Sequence, residues 1–118
     1  MKKYKTIFCD IDGTIFKYRK FETYQNTTPE LTPGALEKLI EISDAGHMIV
    51  LTTARPEHLR EHTVKELGEA SVPYHRLIMG LERGPRYLLN DMDPAKPGIR
   101  AFAFNLTRDE GLQSVTIE

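Results

Sequence analysis

Short apolar runs alternate along this chain with polar, turn-forming stretches. Ile7-Phe8-Cys9 is the first run, and Asp10-Ile11-Asp12-Gly13-Thr14 closes it. A short apolar run ended by a turn signal reads as a buried strand. Met48-Ile49-Val50-Leu51 is a second, β-branched run and ends in Thr52-Thr53. Its continuity suits a strand covered on both faces. Tyr74 to Met79 predicts a third strand, and Tyr87-Leu88-Leu89 a fourth that runs into Asn90-Asp91-Met92-Asp93. Ile99 to Leu106 alternates small and aromatic residues and predicts a fifth.

Helical spacing fills the gaps. Leu36, Leu39 and Ile40 share one side of a first helix. Thr32 suits its N-cap, Pro33 its first position and Gly46 a left-handed cap at its end. Pro56 to Leu67 predicts a second helix, with Leu59, Thr63 and Leu67 along one side and Gly68 at its end. Strand, helix, strand in this order make a βαβ unit. Residues 15–31 fit neither period. Aromatics and cations interleave there, including Lys17, Arg19 and Lys20, and polar turn formers follow. A hairpin-like flap or ordered loop is expected. Its cations either meet a substrate anion or are solvated while the aromatics cover the core edge.

Composition narrows the class. With 118 residues and a formal net charge of -1, one domain with a modest core is expected. Near-neutrality argues against a broad nucleic-acid or membrane surface. No apolar run approaches the roughly 20 residues of a membrane span. The basic start, Met1-Lys2-Lys3-Tyr4-Lys5, precedes too short an apolar run for a signal peptide, so a cytoplasmic protein is expected. The lone Cys9 fits a reducing compartment and reads as a small strand hydrophobe. The sequons at Asn26 and Asn105 then count as coincidence. His58 and His62 lie one helical turn apart, but no third ligand stands nearby, so a solvated helix face is expected.

The chemistry sits where the runs stop. Two acids converging at a strand's carboxyl end repel each other unless a cation lies between them, and a divalent cation with oxygen ligands meets that need. Asp-Ile-Asp-Gly-Thr resembles the opening motif of the haloacid dehalogenase-like (HAD) phosphohydrolases, Asp-x-Asp-x-Thr after an apolar strand. The Thr-ended second strand and acid-ended fourth strand extend the resemblance over residues 6 to about 106.

It implies a three-layer α/β/α Rossmannoid fold with a mostly parallel five-stranded sheet in the order 5-4-1-2-3. It implies Asp10 as nucleophile, Asp12 as general acid/base and Thr53 as a phosphoryl-oxygen ligand. Gly13, Thr14 and Arg55 would join the substrate site. Mg²⁺ would be held by Asp10, Asp12 and Asp91, with Asp93 as a further candidate. Asn90-Asp91 departs from the usual acid pairs of the last motif. The motif's cation is Arg83 by position, with Arg86, Lys65 and Lys96 as alternatives. The short 15–31 insert resembles the capless branch and leaves the site open, unless the flap or a partner subunit in a homo-oligomer covers it. The expected reaction is Mg²⁺-dependent hydrolysis of a small phosphomonoester, a sugar phosphate or nucleotide. The competing readings are phosphate binding without turnover and phosphoryl transfer to another acceptor, which the short insert disfavours.

Overall fold

The computed structural model describes residues 3–118. It is an α/β fold on a parallel sheet of β1 (Thr6–Asp10), β2 (Met48–Thr52) and β3 (Arg76–Ile78), in the order β1-β2-β3. Helix α1 (Ala35–Asp44) links β1 to β2, and α2 (Arg60–Glu69) links β2 to β3. Register pairs Ile7 with Ile49, Cys9 with Leu51 and Asp10 with Thr52. Leu51 pairs in turn with Leu77. Side chains alternate across a sheet, so Cys9, Ile49 and Leu51 share one face. They form one core with Leu39 and Ile42 of α1, Leu67 of α2, and Leu112 and Val115 of the C-terminal segment. Phe8, Met48 and Ile78 lie on the other face and stay exposed.

The helices begin later than their sequence signals. The Thr32 hydroxyl donates to the Thr14 carbonyl at 2.6 Å instead of capping α1, and Gly34 with φ +69° turns the chain into the helix. Gly46 adopts the expected left-handed conformation, φ +94°. In α1 the buried side is Ala35, Leu39 and Ile42, whereas Ile40 faces solvent. A 3-10 turn over Glu57–Leu59 precedes α2, which continues through Gly68.

The expected fourth and fifth strands do not form, so the 1-2-3 part of the order is the part seen among the described residues. Residues 79–106 carry no regular element. Tyr87 and Leu89 are each 90 % exposed, and Phe102 is 75 % exposed. Apolar alternation states a demand for burial, but a strand also needs a neighbour for its backbone groups. Pro85, Pro94 and Pro97 each remove an N–H donor from this stretch. The radius of gyration, 15.1 Å, exceeds the ~13.5 Å of a compact chain of this length.

The 15–31 segment is an ordered flap. Phe16 and Tyr24 are buried, and Lys17 N and Thr32 N donate to the carbonyls of Glu30 and Ile15. Its aromatics cover the core edge, one of the two roles expected of it. Lys17 pairs with Glu30 and Arg19 with Glu66.

Candidate active site

Asp10 ends β1, and a tight loop follows. The N–H groups of Thr14, Ile15 and Phe16 all donate to the Ile11 carbonyl, at 3.2, 2.9 and 3.1 Å. Ile11, Ile15 and Phe16 are fully buried and pin this loop to the core. Gly13 allows the turn: its φ is +89°, and a Cβ there would sit 3.2 Å from Arg108 Cγ. The two acids therefore lie on opposite sides of an anchored Ile11, Asp10 toward solvent and Asp12 partly covered.

Their environments differ. Burial by the surrounding chain raises the Asp10 carboxyl above its ordinary value, and the charge of Asp12 adds to that. Arg86, the Ile11 N–H and the Thr14 hydroxyl, 3.5 Å from Oδ2, oppose the rise. Asp12 instead meets a cation directly. Arg55 Nη2 donates to its Oδ1 at 2.8 Å and Arg55 Nε to its Oδ2 at 2.9 Å. Tyr24 donates to Oδ2 at 3.0 Å, and burial followed by the Asp12 charge pushes the Tyr24 hydroxyl up to about 12.

The network continues inward. Arg55 Nη1 donates to Glu66 Oε1 at 2.8 Å and to the Thr63 hydroxyl at 3.0 Å. Arg19 of the flap holds both Glu66 oxygens, at 2.9 and 3.0 Å. His62 Nε2 lies 3.0 Å from the Tyr24 carbonyl and 3.2 Å from Glu66. Burial alone would raise the Glu66 carboxyl, but hydrogen bonds from Arg19 and Arg55 more than offset it and hold the group below its ordinary value. Burial works against the Arg55 charge, yet Asp12 and Glu66 stabilise it further still.

Other expected site residues divide. Thr53 directly follows β2, whose last residue, Thr52, pairs with Asp10, and it is buried, its hydroxyl accepting from Arg55 N at 3.0 Å. Gly13 makes the turn after Asp12, and the Thr14 hydroxyl lies 3.5 Å from Asp10 Oδ2. Arg55, expected on substrate, is buried and engages two carboxylates, so it cannot also grip a solvent-borne phosphate. Arg83, expected to hold nucleophile and phosphate together, lies over the Phe21 ring at 5.5 Å. Arg86 is the cation whose charge reaches Asp10. Lys65 and Lys96 are exposed. Asp91 was expected beside Asp10 but sits in the exposed segment, paired with Arg100 at 3.3 Å. Asp93 accepts from Ala95 N in the same segment. Burial raises the Cys9 thiol to about 12, aided by Asp10, which makes it a poor nucleophile at neutral pH.

Arg108 and Asp109 were not singled out in the sequence. Asp109 N donates to the Gly13 carbonyl at 2.8 Å, its Oδ1 accepts from Tyr18 N at 2.7 Å, and Arg108 stacks on Tyr18 at 4.0 Å. The turn signal Asp109-Glu110-Gly111 was their trace in the sequence. Gly111 is required there, because any Cβ would collide with the Pro33 carbonyl.

Among the described residues no three His, Cys, Asp or Glu side chains cluster as a metal site. The donors at the end of β1 are nonetheless hard oxygens: the exposed Asp10 carboxylate and the nearby Asp12 main chain. Mg²⁺ commonly binds through one or two carboxylates and keeps several waters, so this donor set fits it.

The two acids stand at the carboxyl edge of a parallel sheet, where open α/β sheets bind their ligands. Residues 7–75 match the model of the haloacid dehalogenase-like hydrolases, and the chain belongs to that family. In fold it is similar to a crystallised structural-genomics target from Vibrio cholerae, with a TM-score of 0.54 and 21 % identity over 71 % of this chain and 78 % of that one. No curated protein matches the chain. No helix among the described residues is long and apolar enough to cross a membrane.

Proposed function

We propose that the protein is a Mg²⁺-dependent phosphomonoesterase that works through an aspartyl phosphate on Asp10. The observation that carries this reading is the contrast between the two acids. Asp10 is exposed at the strand end, and no cation among the described residues is bonded to it, which leaves it free to attack. Asp12, two residues on, is held in a fixed orientation, as an acid/base must be. In the first step an Asp10 oxygen bonds to phosphorus, the ester P–O bond breaks, and the leaving oxygen takes the proton from Asp12. In the second, water attacks phosphorus, the Asp10–phosphorus bond breaks, and a water proton returns to Asp12. Thr53 and a cation, for which Arg86 stands nearest by charge, would hold the phosphoryl oxygens. Asp10 and the Asp12 carbonyl would hold Mg²⁺, which supplies charge neutralisation between anionic nucleophile and anionic phosphate.

A small metabolite, a sugar phosphate or nucleotide, is the substrate class, since near-neutral composition gives no basic groove for a polymer. The position of Asp91, away in the exposed segment, favours a second reading, phosphate binding with little turnover. Phosphate release from a panel of sugar phosphates, nucleotides and nucleic-acid ends, with Mg²⁺ and with excess EDTA, separates the two. Release that needs Mg²⁺ supports the hydrolase. Mg²⁺-dependent binding without release supports the second reading, and full release in EDTA contradicts the metal.

A further inference from the structure

The flap and α2 converge on one buried guanidinium, and its role is not phosphate binding. We propose that Arg55 is a positioning residue that locks the Asp12 carboxylate so that Oδ1 alone carries the transferred proton. This rests on the phosphomonoesterase reading.

A carboxylate oxygen accepts about two hydrogen bonds. Oδ2 already has two, from Arg55 Nε and the Tyr24 hydroxyl. Oδ1 has one, from Arg55 Nη2, and keeps capacity for a proton. Turning the carboxylate would break all three bonds. Arg55 cannot follow such a turn, because its side chain is 1 % exposed and Nη1 is bound to Glu66 and Thr63. Glu66 is fixed in turn by Arg19 and His62. The flap thus acts on the site through Arg19 and Tyr24, from the interior side. It aims the acid and does not grip the substrate.

The test compares two substrates that differ in their need for a proton. Nitrophenolate leaves without protonation, whereas an alkoxide leaves only with it. With Arg55→Ala, kcat/KM, which covers the steps up to the aspartyl phosphate and not its hydrolysis, should fall about a hundredfold on glycerol phosphate, the worth of a well-placed general acid. On p-nitrophenyl phosphate kcat/KM should fall less than about fivefold by the same reasoning. Arg55→Lys should not rescue, because an ammonium lacks the planar fork that fixes both Asp12 oxygens while also reaching Glu66. Tyr24→Phe, which removes one bond and leaves the ion pairs, should give a smaller loss with the same leaving-group bias. It carries the test if Arg55→Ala does not fold. Equal losses on the two substrates, or full rescue by Lys, overturns the proposal. Where glycerol phosphate is not turned over, the best alkyl phosphomonoester of the panel above takes its place, and a wild-type protein that turns over no member of that panel overturns the hydrolase reading, and this one with it.

Discussion

Two arginine–aspartate pairs show how differently two regions of this molecule are built. Arg55–Asp12, at 2.8 Å, joins side chains that are 1 % and 12 % exposed. Arg100–Asp91, at 3.3 Å, joins side chains that are 55 % and 75 % exposed. The first sits in a network that joins Tyr24, Thr63, Glu66 and Arg19, with Arg19 Nε left as a buried polar atom without a partner among the described residues. The second sits in residues 82–105, where Leu89 is as open to water as Leu67 of α2 is closed. A pair in water is worth ~0–1 kcal/mol, because solvent competes for both charges. Breaking a buried pair costs about 3–5 kcal/mol, because the survivor is stranded without water. The same chemistry therefore fixes geometry in one region and leaves it loose in the other.

That contrast predicts a graded series. Glu66→Ala strands Arg19 and half of Arg55, and should cost about 3–5 kcal/mol in urea denaturation at neutral pH. A loss under about 1 kcal/mol would mean the network is no tighter than a surface pair. Acid should weaken the packed region next. The folded Glu66 carboxyl lies below its ordinary value of 4.5, so its stabilisation is complete above that pH and fades as pH falls through the folded value. Thermal melts of wild type and Glu66→Gln should therefore converge on acidification, and parallel curves would contradict this.

Asp10 carries the opposite sign. Its folded carboxyl lies above its ordinary value of 3.8, so its charge opposes folding at neutral pH. Asp10→Asn should raise the Tm in EDTA at pH 7, with the gain lost toward low pH, and a lowered Tm would contradict a cost of burying that charge beside Asp12. The smallest effect belongs to the loose region. Leu89→Ala should change stability by less than about 0.5 kcal/mol, against the 2–5 kcal/mol of a buried leucine such as Leu67→Ala. A comparable loss would show that Leu89 is packed.

The sequence was most legible where local chemistry and burial agree. β1 and β2 follow from continuous apolar runs closed by turn or hydroxyl residues, and Gly13 and Gly46 from their need for positive φ. Asp10, Asp12 and Thr53 could be placed because strand ends converge in a parallel sheet. Arg55 was misread because its partner Asp12 lies 43 residues away and Thr-x-Arg-Pro carries no sign of burial. Thr32 looked like a helix cap because capping by residue type cannot foresee a competing carbonyl such as that of Thr14. The expectation of strand four rests on an apolar run ending in acids and that of strand five on small and aromatic alternation, and neither pattern supplies a pairing partner. Beyond the turn residues Asp109-Glu110-Gly111 the C-terminal segment carries no periodic pattern, yet Leu112 and Val115 fill the core and Asp109 holds the Gly13 turn.

Trapping the phosphorylated enzyme tests the central claim most directly. The protein is mixed with a phosphomonoester it hydrolyses and Mg²⁺, quenched in acid within the turnover time, and digested for mass spectrometry. One phosphoryl group on Asp10, labile to hydroxylamine as an acyl phosphate is, and absent from Asp10→Asn together with turnover, is the result expected. Undiminished turnover by Asp10→Asn, or a phosphoryl group on any other residue, would contradict the account.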